Sequence, residues 1–163
     1  MISVRAATHS DAAAGVDVLK ASIRELCRLD HQDDPATLER WLRNKTVEKF
    51  CGWVDQPESF VAVAEVDGEV CGVGAVSATG DLNLCYVRPG NERTGVGRAL
   101  LLALEAKARA WGLGELRLVS TATARAFYER HGYVATGEER VPAFGLLRDY
   151  GYVKVLGGAG VDG

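Results

Sequence analysis

The chain has little that would mark it for export, membrane insertion, metal binding or nucleic-acid binding. No stretch approaches the ~18 consecutive apolar residues of a membrane span, and the opening Met1-Ile2-Ser3-Val4-Arg5 holds no apolar signal core. The four cysteines, Cys27, Cys51, Cys71 and Cys85, make no C-x-x-C pair and no cysteine–histidine cluster at zinc spacing. They read as small buried hydrophobes in a reducing compartment, so a soluble cytoplasmic protein without disulfides, metal or membrane partner is expected. There is no run of Lys or Arg, and 19 basic against 22 acidic side chains leave a net charge of −3. That balance argues against a DNA or RNA partner. Low hydrophobicity with high charge, the mark of disorder, is also missing: apolar residues make up 47% and charged residues 25%. Prolines are scarce, 4 against 19 glycines, and 163 residues suit a single domain.

Periodicity supplies the order of elements. Ile2 to Ala7 alternates as a short strand, Ser10 or Asp11 caps a helix, and Val16, Leu19, Ile23, Leu26 and Cys27 form one buried stripe to about Arg28. The polar loop Asp30-His31-Gln32-Asp33-Asp34-Pro35 follows, then a helix with Leu38, Trp41 and Leu42 and another capped by Thr46. From Ser59 the texture is β. Two runs, Phe60–Val66 and Glu69–Val76, flank the hairpin signal Asp67-Gly68, and a third strand, Leu82 to Val87, stops at Pro89. Arg98 to Trp111 is a helix ended by Gly112. Leu116 to Val119 is a strand, and Ser120 or Thr121 caps a helix through Arg130 with Gly132 as its stop. Tyr133–Glu138 and Gly151–Leu156 close the domain. The expectation is a mixed α/β domain over residues 1–156, with 157–163 a flexible tail.

Four G-x-G pairs occur, and at this glycine content about two would arise by chance. Gly72/Gly74 lies in a strand, Gly112/Gly114 ends a helix and Gly158/Gly160 is in the tail; only Gly95/Gly97 joins a strand to a helix start. Bare amides and the positive end of the helix dipole converge there, which suits a phosphate. A dinucleotide fingerprint fails because Leu100 stands where a third glycine is required. A P-loop fails because Val96 and Gly97 replace Lys and Ser/Thr after Gly90 and Gly95.

A third pattern fits. Leu84-Cys85-Tyr86-Val87-Arg88-Pro89, then Glu92-Arg93-Thr94-Gly95-Val96-Gly97-Arg98, then Ala124-Arg125-Ala126-Phe127-Tyr128-Glu129-Arg130-His131-Gly132-Tyr133 resemble the GNAT superfamily of N-acetyltransferases, closely over about residues 82 to 137. The resemblance implies an α/β single-domain GNAT fold with a mixed, mostly antiparallel central sheet flanked by helices on both faces. It implies acetyl-CoA as cosubstrate, held by Cys85, Tyr86, Val87, Arg93, Thr94, Gly95, Val96, Gly97, Arg98, Thr121, Ala124, Phe127 and Tyr128. Two positions depart from the family pattern. Glu92 replaces Gln or Arg, and its repulsion of pyrophosphate leaves contact to the loop amides; Thr121 stands where many relatives carry Asn.

The resemblance further implies direct acetyl transfer to a primary amine of a small molecule or peptide, with Tyr128 as general acid to the departing thiolate. A lysine-like amine must first lose a proton, at about 4.6 kcal/mol at neutral pH. Candidates for the base are Asp81, Asn83 and the acidic loop from Asp30 to Asp34. The alternative is a degenerate acyl-CoA sensor without turnover. Dimers are common in the family.

Overall fold

The computed structural model describes residues 1–140 and 146–157. The strands are β1 (Ile2–Ala6), β2 (Ser59–Val66), β3 (Glu69–Ser77), β4 (Asp81–Val87), β5 (Glu115–Ser120), β6 (Val134–Arg140) and β7 (Asp149–Val155). The helices are α1 (Ala12–Leu26), the single turn α2 (Arg28–His31), α3 (Pro35–Leu42), α4 (Val47–Asp55), α5 (Val96–Ala110) and α6 (Arg125–Arg130). The tail expected over 157–163 lies, after Gly157, outside the described residues. The seven strands form one sheet in the order β1-β2-β3-β4-β5-β7-β6, antiparallel except for the β4–β5 pair. This is the mixed, mostly antiparallel architecture expected.

The β2–β3 turn has positive φ at both Asp67 (52°) and Gly68 (80°), as a type I′ hairpin requires. Val61, Val63, Val73 and Ala75 face one way and pack under α1 and α4. Ala62, Ala64 and Val76 face the other way and pack under α5 through Val96, Leu100, Leu101 and Leu104. The period-2 alternation of the meander thus feeds two cores on opposite faces of one sheet. Gly72 and Gly74 let α5 sit close: a Cβ at Gly72 would stand 2.7 Å from Leu100 Cδ1, and one at Gly74 would stand 3.0 Å from Leu104 Cδ1.

Three departures from the expected boundaries have physical causes. α1 stops at Leu26 and breaks at Cys27; the segment expected as a polar loop folds back as α2, with Asp30 and His31 buried. α5 starts at Val96 because Gly95, at φ 96°, turns the chain directly into the helix. α6 starts only at Arg125, because the amides just before it are taken by side chains described below.

Two charge clusters fasten the ends of the sheet. Arg5 on β1 forms a two-pronged pair with Asp11, both N–O distances 2.8 Å, and reaches Glu65 on β2 at 3.0 Å. The guanidinium pulls the Asp11 carboxyl down to about 2. On the other flank Glu105, 1% exposed on α5, accepts the Tyr133 hydroxyl at 2.8 Å and the Lys154 ammonium at 3.1 Å.

Both clusters yield predictions. Asp11 ionises more easily folded than unfolded, so its contribution is complete above about pH 4 and disappears as the pH falls through about 2. Asp11→Asn should cost about 1–2 kcal/mol at neutral pH after allowance for screening at the half-exposed Arg5, and should flatten the acid limb of stability followed by urea unfolding. Lys154→Met strands a buried carboxylate and should cost about 3 kcal/mol, most of it recovered by adding Glu105→Leu; equilibrium unfolding of both variants checks this.

Candidate active site

The site begins where the sheet divides. β4 and β5 pair only at Asp81–Arg117 and Leu82–Leu118. Against β3 the register jumps from Ala75–Leu84 to Val76–Leu82, so Asn83 is an extra residue that bulges β4. A bulge bends and twists its strand, and beyond it β4 parts from β5. The Arg88 N–H donates to the Cys71 carbonyl at 2.8 Å, on the β3 side. By the two-residue period the N–H and C=O of Cys85 and Val87 then point into the opening. That leaves a strand edge to which an extended amide-bearing ligand can add.

The second wall is the start of α5. Arg93 (φ 65°), Gly90 (97°) and Gly95 (96°) take left-handed conformations that wind the chain tightly into the helix. No side chain caps this end, and the first intrahelical bond runs from the Ala99 N–H to the Gly95 carbonyl. The amides of Val96, Gly97 and Arg98 therefore remain for an anion. Arg93, Arg98 and Arg130 line the same groove and make no ion pair among the described residues. Glu92 also lines it, but its carboxylate accepts the Gly90 N–H and so shapes the loop.

The third wall is the β5–α6 turn and α6. Thr121 Oγ1 accepts the Ala124 N–H at 3.2 Å, which leaves the Thr121 hydroxyl proton to donate. Gly97 packs closely here: a Cβ would stand 3.2 Å from the Phe127 ring. His131 donates from Nδ1 to the Phe127 carbonyl at 2.8 Å, a tautomer assigned from that bond. Together the walls enclose a groove of about 580 Å³, within the ~300–1,000 Å³ of small-molecule sites.

Of the expected residues, Cys85, Tyr86, Val87, Arg93, Gly95, Gly97, Arg98, Thr121, Ala124 and Phe127 line the groove. Three side chains do not. Thr94 donates its hydroxyl to the Asn91 carbonyl at 2.6 Å, and Val96 is fully buried under β3, leaving only its amide for a ligand. Tyr128 is 6% exposed, edge-on to Phe127 and Tyr133 with ring centroids 5.3 and 5.7 Å away. Burial, then the Cys85 thiol, raises its phenol well above the ordinary value of 10. Burial also pushes the Cys85 and Cys27 thiols up to about 12, so neither is a nucleophile at neutral pH.

The candidate bases separate in the same way. Asp81 accepts the Thr79 hydroxyl at 2.8 Å and faces Arg117 at 3.5 Å; it and Asn83 line a different hollow, outside the groove. His31 uses both nitrogens, Nε2–H to the Ile23 carbonyl and Nδ1 from the Asp33 N–H. Asp34 caps α3 through the Thr37 N–H and hydroxyl. Asp33 sits in a left-handed turn 3.7 Å from Arg28. The acidic loop is thus largely occupied in holding itself.

Asp30 was missed as a structural group. Its carboxylate accepts the N–H of Ala122 at 2.7 Å and of Thr123 at 3.2 Å, together with the Thr123 hydroxyl. It pins α2 to the turn that presents Thr121 and Ala124. Nothing local in the sequence marks a partner 92 residues away. Arg130 was also missed, although it lies three residues after Phe127 and so on the same helical face.

The acetyltransferase (GNAT) domain family model matches residues 27–147. The chain belongs to this family. An amino-acid acetyltransferase of Azotobacter vinelandii is 38% identical over 87 residues, which are 50% of this chain and 20% of that protein. The chain thus spans about a fifth of that curated relative's length. Among solved structures, a GCN5-related N-acetyltransferase of Rhodopseudomonas palustris superposes with a TM-score of 0.84 at 24% identity, over 94% of this chain and 95% of that one. PaiA N-acetyltransferase from Thermoplasma acidophilum, solved with coenzyme A, gives 0.78 at 18% identity over 95% and 99%.

Asp30→Ala should leave three donors of the Ala122–Thr123 turn without their partner, at about 1–3 kcal/mol for each that water cannot reach. We expect a lower urea midpoint together with weaker coenzyme A binding by calorimetry, because Thr121 and Ala124 lose their fixed position.

Proposed function

We propose that the protein is an acetyl-CoA-dependent N-acetyltransferase that acts by direct attack of a primary amine on the thioester. One observation carries this reading: strand amides at Cys85 and Val87 that point away from β3, a helix start with no side-chain cap and three arginines without an ion pair among the described residues line one groove. Anionic phosphates suit the helix start and arginines, and an amide-bearing arm suits the strand edge. The N–H groups that point into the fork would also polarise a thioester carbonyl placed there.

Tyr128 is the group assigned to the departing thiolate. With phenol near ~10 and thiol near ~8.5, full proton transfer is already uphill by about 2 kcal/mol, and burial raises the phenol further. Its role is therefore to donate a hydrogen bond to the developing charge and to remain protonated throughout. Cys85, beside it and kept neutral, adds no competing charge. The amine's proton, costing about 4.6 kcal/mol to remove at neutral pH, leaves to water or to a base outside the groups named above.

A second reading, an acyl-CoA-binding sensor without turnover, is favoured by the burial of Tyr128 away from the groove wall. Incubation with acetyl-CoA and an amine panel separates the two: thiol release for any amine supports the enzyme, and binding without release supports the sensor. Tyr128→Phe should lower kcat about tenfold or more and leave the KM for acetyl-CoA nearly unchanged. Wild-type rate should rise with pH as the amine deprotonates, with no descending limb up to about pH 10, because Tyr128 stays protonated. An unaltered kcat in the variant would remove Tyr128 from the mechanism.

A further inference from the structure

A second, smaller hollow opens on the other side of the fork. It measures about 140 Å³, and Tyr86 and Thr121 line both it and the large groove. Its remaining walls include Trp41, Val119, Leu147 and Asp149. Tyr86 lies on the α1 face of the sheet and Cys85 on the α5 face, and the two cavities share the β4 edge at Tyr86 and the β5–α6 turn at Thr121.

The charges around this hollow decide what it takes. Asp30 lines it, but its oxygens are committed to Ala122 and Thr123. Arg148 lines it, but pairs with Glu139 at 2.8 Å. The Asp149 carboxylate, half-buried at the start of β7, has no hydrogen bond or ion pair among the described residues. Arg140 stands opposite it in the β6–β7 ladder without coming to ion-pair distance, so a carboxylate with no direct partner borders the space. The walls beside it include aromatic rings: Trp41, held edge-on by His31 at 6.2 Å, and Tyr86. A carboxylate with flanking aromatic faces selects a cation. The volume matches a small body, since an enclosed cavity of about 150 Å³ holds a benzene-sized guest.

Resting on the acetyl-transfer reading above, we infer that this hollow is the acceptor subsite, that Asp149 binds the ammonium group, and that the acceptor is a primary amine on a short apolar stem of about six heavy atoms. A free alkylamine and a lysine side chain both present that chemistry. An α-amino acid does not, because its carboxylate would sit against Asp149.

The test uses three acceptors with the full chain and acetyl-CoA: pentylamine, a lysine peptide blocked at both ends, and norleucine, which adds an α-carboxylate to the pentylamine stem. Pentylamine or the peptide should exceed norleucine in kcat/KM by about tenfold or more, and the better of the two names the source. Asp149→Asn should raise the KM of that acceptor about tenfold and leave the KM for acetyl-CoA within about twofold, with Asp149→Glu recovering part of the loss. Norleucine matching or exceeding both, or an acceptor KM unmoved in Asp149→Asn, overturns the inference while acetyl transfer stands. Calorimetry of pentylamine into the coenzyme A-loaded protein reads the subsite without turnover. Binding that Asp149→Asn weakens, in a protein that releases no thiol, keeps the subsite and removes the transfer reaction instead; absence of binding overturns the subsite. Pentanol, a neutral isostere, binding as well as pentylamine would overturn the ammonium assignment even if the variants failed to fold.

Discussion

The parting of β4 from β5 is the constraint on which the rest of the site depends. A parallel ladder of two residue pairs holds the sheet together at one end. At the other end the same strands must remain apart, although two adjacent strand edges with free amides would ordinarily zip together. The bulge at Asn83 turns β4 away, and the β5 edge beyond Leu118 leads into a turn whose amides Asp30 already occupies. An edge that cannot close within the chain is left for a ligand, and both cavities are openings of that one fork.

Electrostatics then divide the labour between the two openings. The chain as a whole is slightly acidic, yet the large groove gathers three arginines and the positive end of α5 against the single Glu92, itself tied to the Gly90 amide. The small hollow is less basic, because its arginine pairs with Glu139 while its Asp149 has no ion pair among the described residues. Net charge predicts neither, since each polarity is made by which local groups already have partners. Tyr128 and Cys85 are both kept neutral by burial, so neither adds a charge beside the fork.

Much of the frame was legible because it rests on local physics. The Asp67-Gly68 hairpin, the alternation of β2 and β3, the Gly95/Gly97 turn and the stripe of α5 each lie within a few residues of sequence and appear where the pattern put them. Ten of the thirteen residues expected at the cofactor lie on the groove, because a motif fixes neighbours along the chain. What was not legible is long-range. Asp30 and His31 read as part of a polar loop until their partners are known, and α6 begins late because a carboxylate from α2 holds the amides ahead of it. Ser22, Leu26 and Cys27 reach the groove only because α1 is laid across the sheet. The Tyr128 side chain lay on the predicted helix, but no spacing rule says whether a residue on that face opens to the groove or packs beneath its wall.

The glycines of β3 have a further consequence. At Gly72 and Gly74 the helix α5 rests on bare backbone, with Leu100 and Leu104 filling the space of two absent methyl groups. The start of that helix is one fixed point of the groove and the β4 edge is the other, so the missing methyls act as a gauge block that sets the span between them. A single added carbon in the middle of β3, outside the groove lining, would have to displace Leu100 or Leu104 and so would press on the helix that frames the groove.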